Sequence, residues 1–228
     1  MRDTGLGFSN FAVSPNGRTI AGWPEEPDSP QAIGIASVTG AGLRELPRPS
    51  AQVDESDPSF SPDGIRIVFE RRNPTSGCCR VSRLVVQAVK GGAARPLGVV
   101  GTTPRWSPDG RWIAFAAPVG QGVRLEIVPP TGGRARILAS ASLGTIGFSW
   151  APDSKQLVYE VDADQSLGIA DLAGHSRKLD IGRIEPFDAA FSPDGRRIVF
   201  TGTPASGARR RASIYVVGAD GHGLRRLA

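Results

Sequence analysis

Short apolar runs alternate with polar turns along this chain, in a pattern that returns five times. Six positions after the first residue of each turn stands a branched aliphatic residue, and in four copies an aromatic residue follows two positions later. The first residues of successive turns lie 47, 46, 44 and 41 positions apart. The pattern predicts five copies of one structural unit. The turns are Ser14-Pro15-Asn16-Gly17, Ser61-Pro62-Asp63-Gly64, Ser107-Pro108-Asp109-Gly110, Ala151-Pro152-Asp153-Ser154 and Ser192-Pro193-Asp194-Gly195.

The repeated turn has the residues of a type I turn. Proline fixes φ at the second position, and glycine at the fourth tolerates a positive φ. Aspartate at the third position accepts hydrogen bonds from neighbouring amides. We therefore assign structural roles in these turns to Asp63, Gly64, Asp109, Gly110, Asp153, Asp194 and Gly195.

Each unit has the order strand, tight turn, strand, variable loop, strand, glycine turn, strand. Four antiparallel strands that are apolar on both faces must pack between neighbouring sheets, as in an all-β propeller. We predict one propeller domain over residues 1–228, with two arrangements left open: a closed ring of five, or part of a six-bladed ring. The predicted blades span about 8–48, 57–98, 103–139, 147–180 and 188–228.

Composition and charge narrow the function classes. The net charge of +5 comes from arginines spread over every repeat, without the basic stripe and interleaved aromatics of a nucleic-acid groove. No apolar run approaches membrane-spanning length, and the first residues lack the apolar core of a signal peptide. We therefore expect neither nucleic-acid binding nor membrane insertion, and the oligomeric state stays open.

The two cysteines, Cys78 and Cys79, are adjacent. They cannot form a long-range disulfide, so the fold does not depend on one. Two free thiols and a vicinal disulfide both remain open, and the pair does not identify a compartment.

A search for catalytic motifs finds none. The Gly-x-Ser-x-Gly elbow of hydrolases is missing, because the stretches around Ser9 and Ser149 lack the final glycine. His175 and His222 stand in glycine turns without a second ligand nearby in sequence. The Asp162-x-Asp164 stretch lacks the glycine and glutamate of a calcium loop. We expect no enzyme activity, no catalytic residues, no metal and no cofactor.

Residues four positions before each turn are the candidates for binding. They should line the channel mouth, where the outer strand of one blade leads into the inner strand of the next. Asp57 and Asp188 together could bind a cation or the basic end of a peptide. The alternative is that each aspartate only accepts hydrogen bonds from nearby loop amides. The channel-mouth candidates are Asn10, Asp57, Thr103 and Asp188, with Gly147 at the same position of the fourth repeat.

The unit from Pro104 to Phe115, with its glycine turn at Gly132-Gly133, resembles the WD-like propeller repeat of the TolB family. The resemblance extends over essentially the whole chain. It implies a bacterial, periplasmic scaffold that binds other proteins without chemistry of its own. The family has an additional amino-terminal domain, and the residues before Gly7 are too few to form it. The same repeat also builds the substrate-gating propeller of prolyl oligopeptidases. The alternative function is therefore a propeller segment of a larger hydrolase. A third and weaker hypothesis is a module that binds a cation or a small ligand at the channel mouth.

Overall fold

The computed structural model describes residues 8–24, 32–73, 82–141, 147–161, 165–204 and 211–227. Within these ranges the chain forms strands and turns and contains no helix, so none that could cross a membrane. Cys78, Cys79, Asp162 and Asp164 lie outside the described residues. The strands are β1 (Phe8–Val13), β2 (Thr19–Pro24), β3 (Gly34–Ser37), β4 (Arg44–Glu45), β5 (Asp54–Phe60), β6 (Arg66–Arg72), β7 (Arg83–Ala88), β8 (Arg95–Val100), β9 (Thr102–Trp106), β10 (Ile113–Val119), β11 (Gly122–Val128), β12 (Arg136–Ala141), β13 (Phe148–Trp150), β14 (Gln156–Val161), β15 (Ser166–Asp171), β16 (Ser176–Leu179), β17 (Ile184–Phe191), β18 (Arg197–Pro204), β19 (Ser213–Gly218) and β20 (Arg225–Arg226).

Consecutive strands pair in five four-stranded sheets. Sheet one contains β1 to β4, sheet two β5 to β8, sheet three β9 to β12, sheet four β13 to β16 and sheet five β17 to β20. The pairing is antiparallel, as tight turns between successive strands require. The predicted all-β class with five four-stranded units is confirmed.

The repeated turns have nearly the same geometry in each sheet. In sheet two, Gly64 donates its amide to the Ser61 carbonyl at 2.8 Å, and Asp63 Oδ1 accepts the amide of Ile65 at 3.0 Å. The Ser61 hydroxyl donates to Asp63 Oδ1 at 2.5 Å, and this hydrogen bond lowers the pKa of Asp63. Glycine occupies the left-handed region in four turns, with φ of +68° at Gly17, +69° at Gly64, +71° at Gly110 and +70° at Gly195, and Ser154 takes that place at +61°.

Contacts divide the chain into two compact units, Met1–Phe115 with Ile127–Ala135, and Ala116–Glu126 with Arg136–Ala228. In the first unit, Ile33 and Ile35 of the sheet-one region pack against Ile67 and Phe69 of sheet two. In the second unit, sheets four and five are joined in the same way. The members of that second core are Val158, Leu167, Ile169, Leu179, Ile181, Ala189, Ile198, Phe200, Tyr215 and Val217.

Candidate functional site

The first strand of four sheets carries a residue in the left-handed backbone region. These residues are the four channel-mouth candidates, with φ of +47° at Asn10, +51° at Asp57, +50° at Thr103 and +54° at Asp188. In sheets one, two and five the strand pairing shifts at this point, which marks a β-bulge. Asparagine and aspartate tolerate this conformation, whereas the β-branched Thr103 does not favour it. The backbone at Thr103 must therefore be held by its surroundings.

Buried side chains of the preceding sheet bind the backbone at or beside two of these left-handed residues. Glu70 Oε1 accepts the amide of Thr103 at 2.7 Å, and Glu160 Oε1 accepts the amide of Ala189, next to Asp188, at 2.9 Å. Both glutamates stand nine positions after the first residue of their own turn. Trp23 occupies that position in sheet one and donates its indole N–H to the Glu55 carbonyl at 2.6 Å. One position of the repeat therefore joins each of these sheets to the inner strand of the next.

Glu70 lies in a charged cluster of the first unit. Its side chain is buried, and burial raises its pKa to about 7, with a further contribution from the neighbouring Asp57 carboxylate. Hydrogen bonds from Thr103 and Ser82 oppose this increase. Burial also lowers the pKa of Arg105, although the carboxylates of Asp57 and Glu70 favour its charged form. The pKa of Glu70 therefore lies near neutral pH.

A cavity of about 360 Å³ opens on the inner strands of the first unit. Asn10, Phe11 and Val13 of β1 line one side, and Asp57 of β5 and Arg105 of β9 contribute charged groups. The Phe11 side chain is 60% exposed, which is unusual for an aromatic residue on a strand. We call this cavity the inner-strand pocket. Its lining thus includes an asparagine, an aspartate, an arginine and an exposed phenylalanine.

The structure brings some of the predicted residues together. Asn10 and Asp57 line the inner-strand pocket, whereas the amide of Thr103 is bound by Glu70. Asp188 belongs to the second compact unit, and its pairing with Asp57 stays a prediction. Gly147 has no left-handed backbone; its carbonyl accepts the amide of Glu160 at 2.9 Å.

Among the described residues, no group of three or more His, Cys, Asp or Glu side chains is arranged to hold a metal ion. His175 Nδ1 lies 3.0 Å from Asp171 Oδ2 on an exposed turn, and this contact helps to lower the pKa of Asp171. The pair supplies two ligands, whereas a zinc site has three or four protein ligands. It is better described as a turn contact.

Sequence reasoning missed Glu70, Glu160 and Arg105. A signal for the glutamates was present, because a charged residue ends the apolar run of β6 and of β14 at the same repeat position. Their role depends on the backbone conformation of the next sheet's first strand, which the sequence does not reveal. Arginines are common in every repeat, so the sequence does not distinguish Arg105 from the others.

Solved structures share this fold. The putative TolB from Agrobacterium tumefaciens has a TM-score of 0.72 at 15% identity, over 97% of this chain and 80% of that protein. The β-propeller domain of the trilobed protease from Pyrococcus furiosus has a TM-score of 0.68 at 16% identity, over 97% of this chain and 70% of that one. The fold is a TolB-like β-propeller. The predicted propeller class is thereby confirmed, while identities this low say nothing about activity.

Relatives at the sequence level are named as peptidases. No family model matches the chain. The uncharacterized peptidase YuxL of Bacillus subtilis is 24% identical over 214 residues, covering 74% of this TolB-like propeller and 33% of the peptidase. Dipeptidyl-peptidase 5 of Porphyromonas endodontalis is 28% identical over 108 residues, covering 46% of this chain and 16% of that enzyme. The chain thus spans a third or less of the length of both peptidases.

Proposed function

We propose that this chain is a non-enzymatic β-propeller that binds a protein partner by holding a polypeptide segment in the inner-strand pocket. The observation that carries the proposal is the pocket itself, where the exposed ring of Phe11 lies beside the polar groups of Asn10 and Asp57. A propeller presents such surfaces on a rigid frame, and rigid frames keep the cost of ordering the site low.

The residues that line the pocket suit a peptide better than a small ligand that is either wholly apolar or wholly charged. The carboxamide of Asn10 both donates and accepts hydrogen bonds, as a peptide backbone requires. Phe11 provides apolar contact area for a side chain of the segment. Asp57 carries a charge at the pocket and favours a basic group of the segment. A segment with an apolar residue next to charged ones matches all three features.

The described residues also support a binding role without catalysis. Ser149, one of the two serines that begin an elbow-like motif, is paired with Val158 inside sheet four. A nucleophilic serine needs an exposed turn and a neighbouring general base. His175, the histidine with a carboxylate neighbour, is on an exposed glycine turn. These placements suit structural roles.

Peptide binding tests the proposal. We would titrate the chain with a library of acetylated, amidated hexapeptides and follow fluorescence anisotropy. Phe11→Ser and Asp57→Asn should each weaken the binding of selected peptides about tenfold or more. The matched control is Ile65→Ser, because Ile65 is 62% exposed against 60% for Phe11 and lies on a turn outside the pocket. Binding that survives both pocket variants would contradict the proposal.

A second candidate function is the propeller of a larger peptidase. The observation that favours it is that the two relatives described above are named peptidases and are much longer than this chain. The structure of a prolyl endopeptidase also shares the fold, with a TM-score of 0.72 at 10% identity over 98% of this chain and 35% of that one. In such a protein the inner-strand pocket would hold peptide substrates on their way to a catalytic domain.

Two measurements separate these candidates. Reading the gene on both sides of this sequence for a Gly-x-Ser-x-Gly elbow tests the peptidase alternative directly. Assays of the purified chain with chromogenic peptides and esters test the absence of catalysis in the chain itself. A turnover rate that one point substitution abolishes would show that the chain is an enzyme.

A further inference from the structure

Glu70 is hydrogen-bonded to a residue that lines the inner-strand pocket. Its side chain is only 5% exposed, and its Oε1 atom accepts the Thr103 amide at 2.7 Å. The same carboxyl group also bonds the Ser82 hydroxyl and the side chain of Asp57. Asp57 lines the pocket, whereas Glu70 does not. Glu70 can therefore act on a ligand in the pocket only through its charge and through its bond to Asp57.

Arg105 completes a cluster of three ionisable side chains beside the pocket. It lies on β9 and lines the pocket together with Asp57. Burial lowers the pKa of Arg105, and the carboxylates of Asp57 and Glu70 oppose this change because they favour the charged guanidinium. With Glu70 protonated, the cluster contains one carboxylate and one guanidinium. An ionised Glu70 adds a second carboxylate, so its protonation state sets the net charge beside the pocket.

The other charged residues of the adjoining strands are paired elsewhere or exposed. Strand β1 has no charged residue, and Asp57 and Arg105 are the charged residues that interact with Glu70. All three belong to the first compact unit. The remaining charges of β5, β6 and β7 are Glu55 with Arg71 at 2.6 Å, Asp54 with Arg72 at 3.4 Å, Arg66 with Asp63 at 3.9 Å, and the exposed Arg83.

We propose that Glu70 determines the charge specificity of the inner-strand pocket, which binds a lysine or arginine side chain at Asp57 tightly when Glu70 is ionised and weakly when Glu70 is protonated. This inference rests on the proposed peptide-binding function. With Glu70 ionised, the cluster has one carboxylate in excess, and a basic side chain of the bound segment balances it. With Glu70 protonated, Arg105 already balances Asp57, so a further cation gains less.

Binding of a basic side chain releases the proton of Glu70 to the solvent. Burial first, and Asp57 to a lesser extent, raises the pKa of Glu70 to about 7 in the free protein. A cation within about 4 to 6 Å lowers the pKa of a carboxyl group by about 1 to 3. Because the complex then holds fewer protons than the free protein, the affinity rises as pH increases towards about 7 and levels off above it.

This change with pH is opposite in direction to the one that a purely structural role of Glu70 would give. Its raised pKa means that ionisation of Glu70 destabilises the folded chain. A Glu70 that acted only on stability would make binding weaker, or leave it unchanged, between pH 5.5 and pH 8. A gain in affinity over this interval therefore reports the charge beside the pocket.

Fluorescence anisotropy with a matched pair of peptides tests the proposal. The probe is a capped hexapeptide with a rhodamine label and a single lysine, selected from the library at pH 8. Its partner has glutamine in place of the lysine. The parent chain should bind the lysine peptide about tenfold more tightly at pH 8 than at pH 5.5, and the glutamine peptide equally at both. Calorimetry at pH 7, in buffers that differ in ionisation enthalpy, should show proton release with the lysine peptide.

Glu70→Gln removes the ionisable group and keeps an acceptor for the Thr103 amide. This variant should bind the lysine peptide equally at both pH values, with the affinity of the parent at pH 5.5. The matched control is Glu160→Gln, because Glu160 has the same repeat position in sheet four and its Oε1 accepts the Ala189 amide at 2.9 Å. Glu160 belongs to the second compact unit, so the control should keep the tenfold dependence on pH. Circular dichroism at both pH values shows whether each variant is folded, and the calorimetric proton release needs no variant.

The outcomes separate this inference from the proposed function. Three results would overturn the role of Glu70 and leave peptide binding in the pocket intact: equal or weaker binding of the lysine peptide at pH 8, binding without proton release, or a rise with pH that survives Glu70→Gln. An equal rise with the glutamine peptide would also overturn it, because the basic side chain would then not be the cause. A chain that binds no hexapeptide at any pH would overturn the proposed function together with this inference.

Discussion

Glu70 joins two sheets through one buried carboxyl group. Its Oε1 atom binds the amide of Thr103, whose left-handed backbone has a cost that the hydrogen bond helps to offset. Burial first, and the neighbouring Asp57 carboxylate to a lesser extent, disfavours the negative charge of Glu70 and raises its pKa. Arg105 also faces the pair and opposes part of that repulsion. The balance between these groups makes the contact sensitive to pH.

Stability should fall as pH rises through neutrality. The pKa of Glu70 is raised from 4.5 to about 7 in the folded protein. Its contribution is therefore fully present below about pH 4.5 and is lost as pH rises through about 7. Glu70→Gln keeps an acceptor for the Thr103 amide without a charge. Urea unfolding should show this variant gaining up to about 3 kcal/mol relative to the parent between pH 5 and pH 8.

Asp63 serves as the control for this pH series. Its pKa is lowered, so its contribution is present above the unfolded value and is lost as pH falls. Asp63→Asn should therefore alter the acid side of the profile and leave the slope near neutrality unchanged. A parent profile that is flat from pH 5 to pH 8 would contradict the role of Glu70.

Gly110 should tolerate substitution less well than Gly17. Both have positive φ, +71° and +68°, so alanine costs about 1 to 2 kcal/mol at either position. A Cβ at Gly110 would also lie 3.1 Å from Pro62 of the preceding turn, whereas no described atom lies within 4 Å of one at Gly17. Gly110→Ala should therefore lower the free energy of unfolding more than Gly17→Ala, measured by urea titration. Equal losses would show that Pro62 moves away freely.

At the scale of strands and turns, the repeat pattern was sufficient to predict the sheets. Apolar residues after each repeated turn predict the second strand of every unit, because local chemistry determines both the turn and the strand. The left-handed residues of the inner strands were not all predictable, since a left-handed Thr103 contradicts local preference. The sequence does not distinguish the outer-strand arginines, such as Arg95, from the other arginines of each repeat. Arg95 donates to the Thr131 carbonyl of the neighbouring sheet, a contact that is visible only with that sheet in place.

Trp106 shows what a strand residue contributes to packing. It is 6% exposed at the end of β9, and the Arg66 guanidinium lies 5.0 Å from its ring centre. Trp106→Ala should cost about 3 to 5 kcal/mol because it leaves a cavity, measured by denaturant unfolding. The control is Trp106→Phe, which retains a ring. No described group bonds the indole nitrogen, so phenylalanine loses no hydrogen bond. A Trp106→Ala protein that unfolds like the parent would refute this packing role.

At the scale of the whole molecule, the candidate site was predicted only in part. The spacing of the repeats placed Asn10 and Asp57 at corresponding positions on inner strands, because equivalent strands share one geometry. The spacing did not predict that Arg105 and Glu70 belong to the site. Their contribution to the charged cluster depends on how three successive inner strands approach each other. The sequence shows which repeat positions carry a charged residue. Whether that residue is buried depends on how the sheets pack together.

Protection from hydrogen exchange should differ between sheets of identical pairing. β6 and β18 are equivalent second strands, each hydrogen-bonded on both edges. Val68 in β6 is fully buried, whereas Val199 in β18 is 38% exposed. Because the stability of a repeat depends on its contacts with neighbours, we expect amides of β18 to exchange faster than those of β6 in dilute protein. Mass spectrometry of peptic peptides measures this difference. Equal exchange in both strands would show that the exposure of Val199 costs β18 no stability.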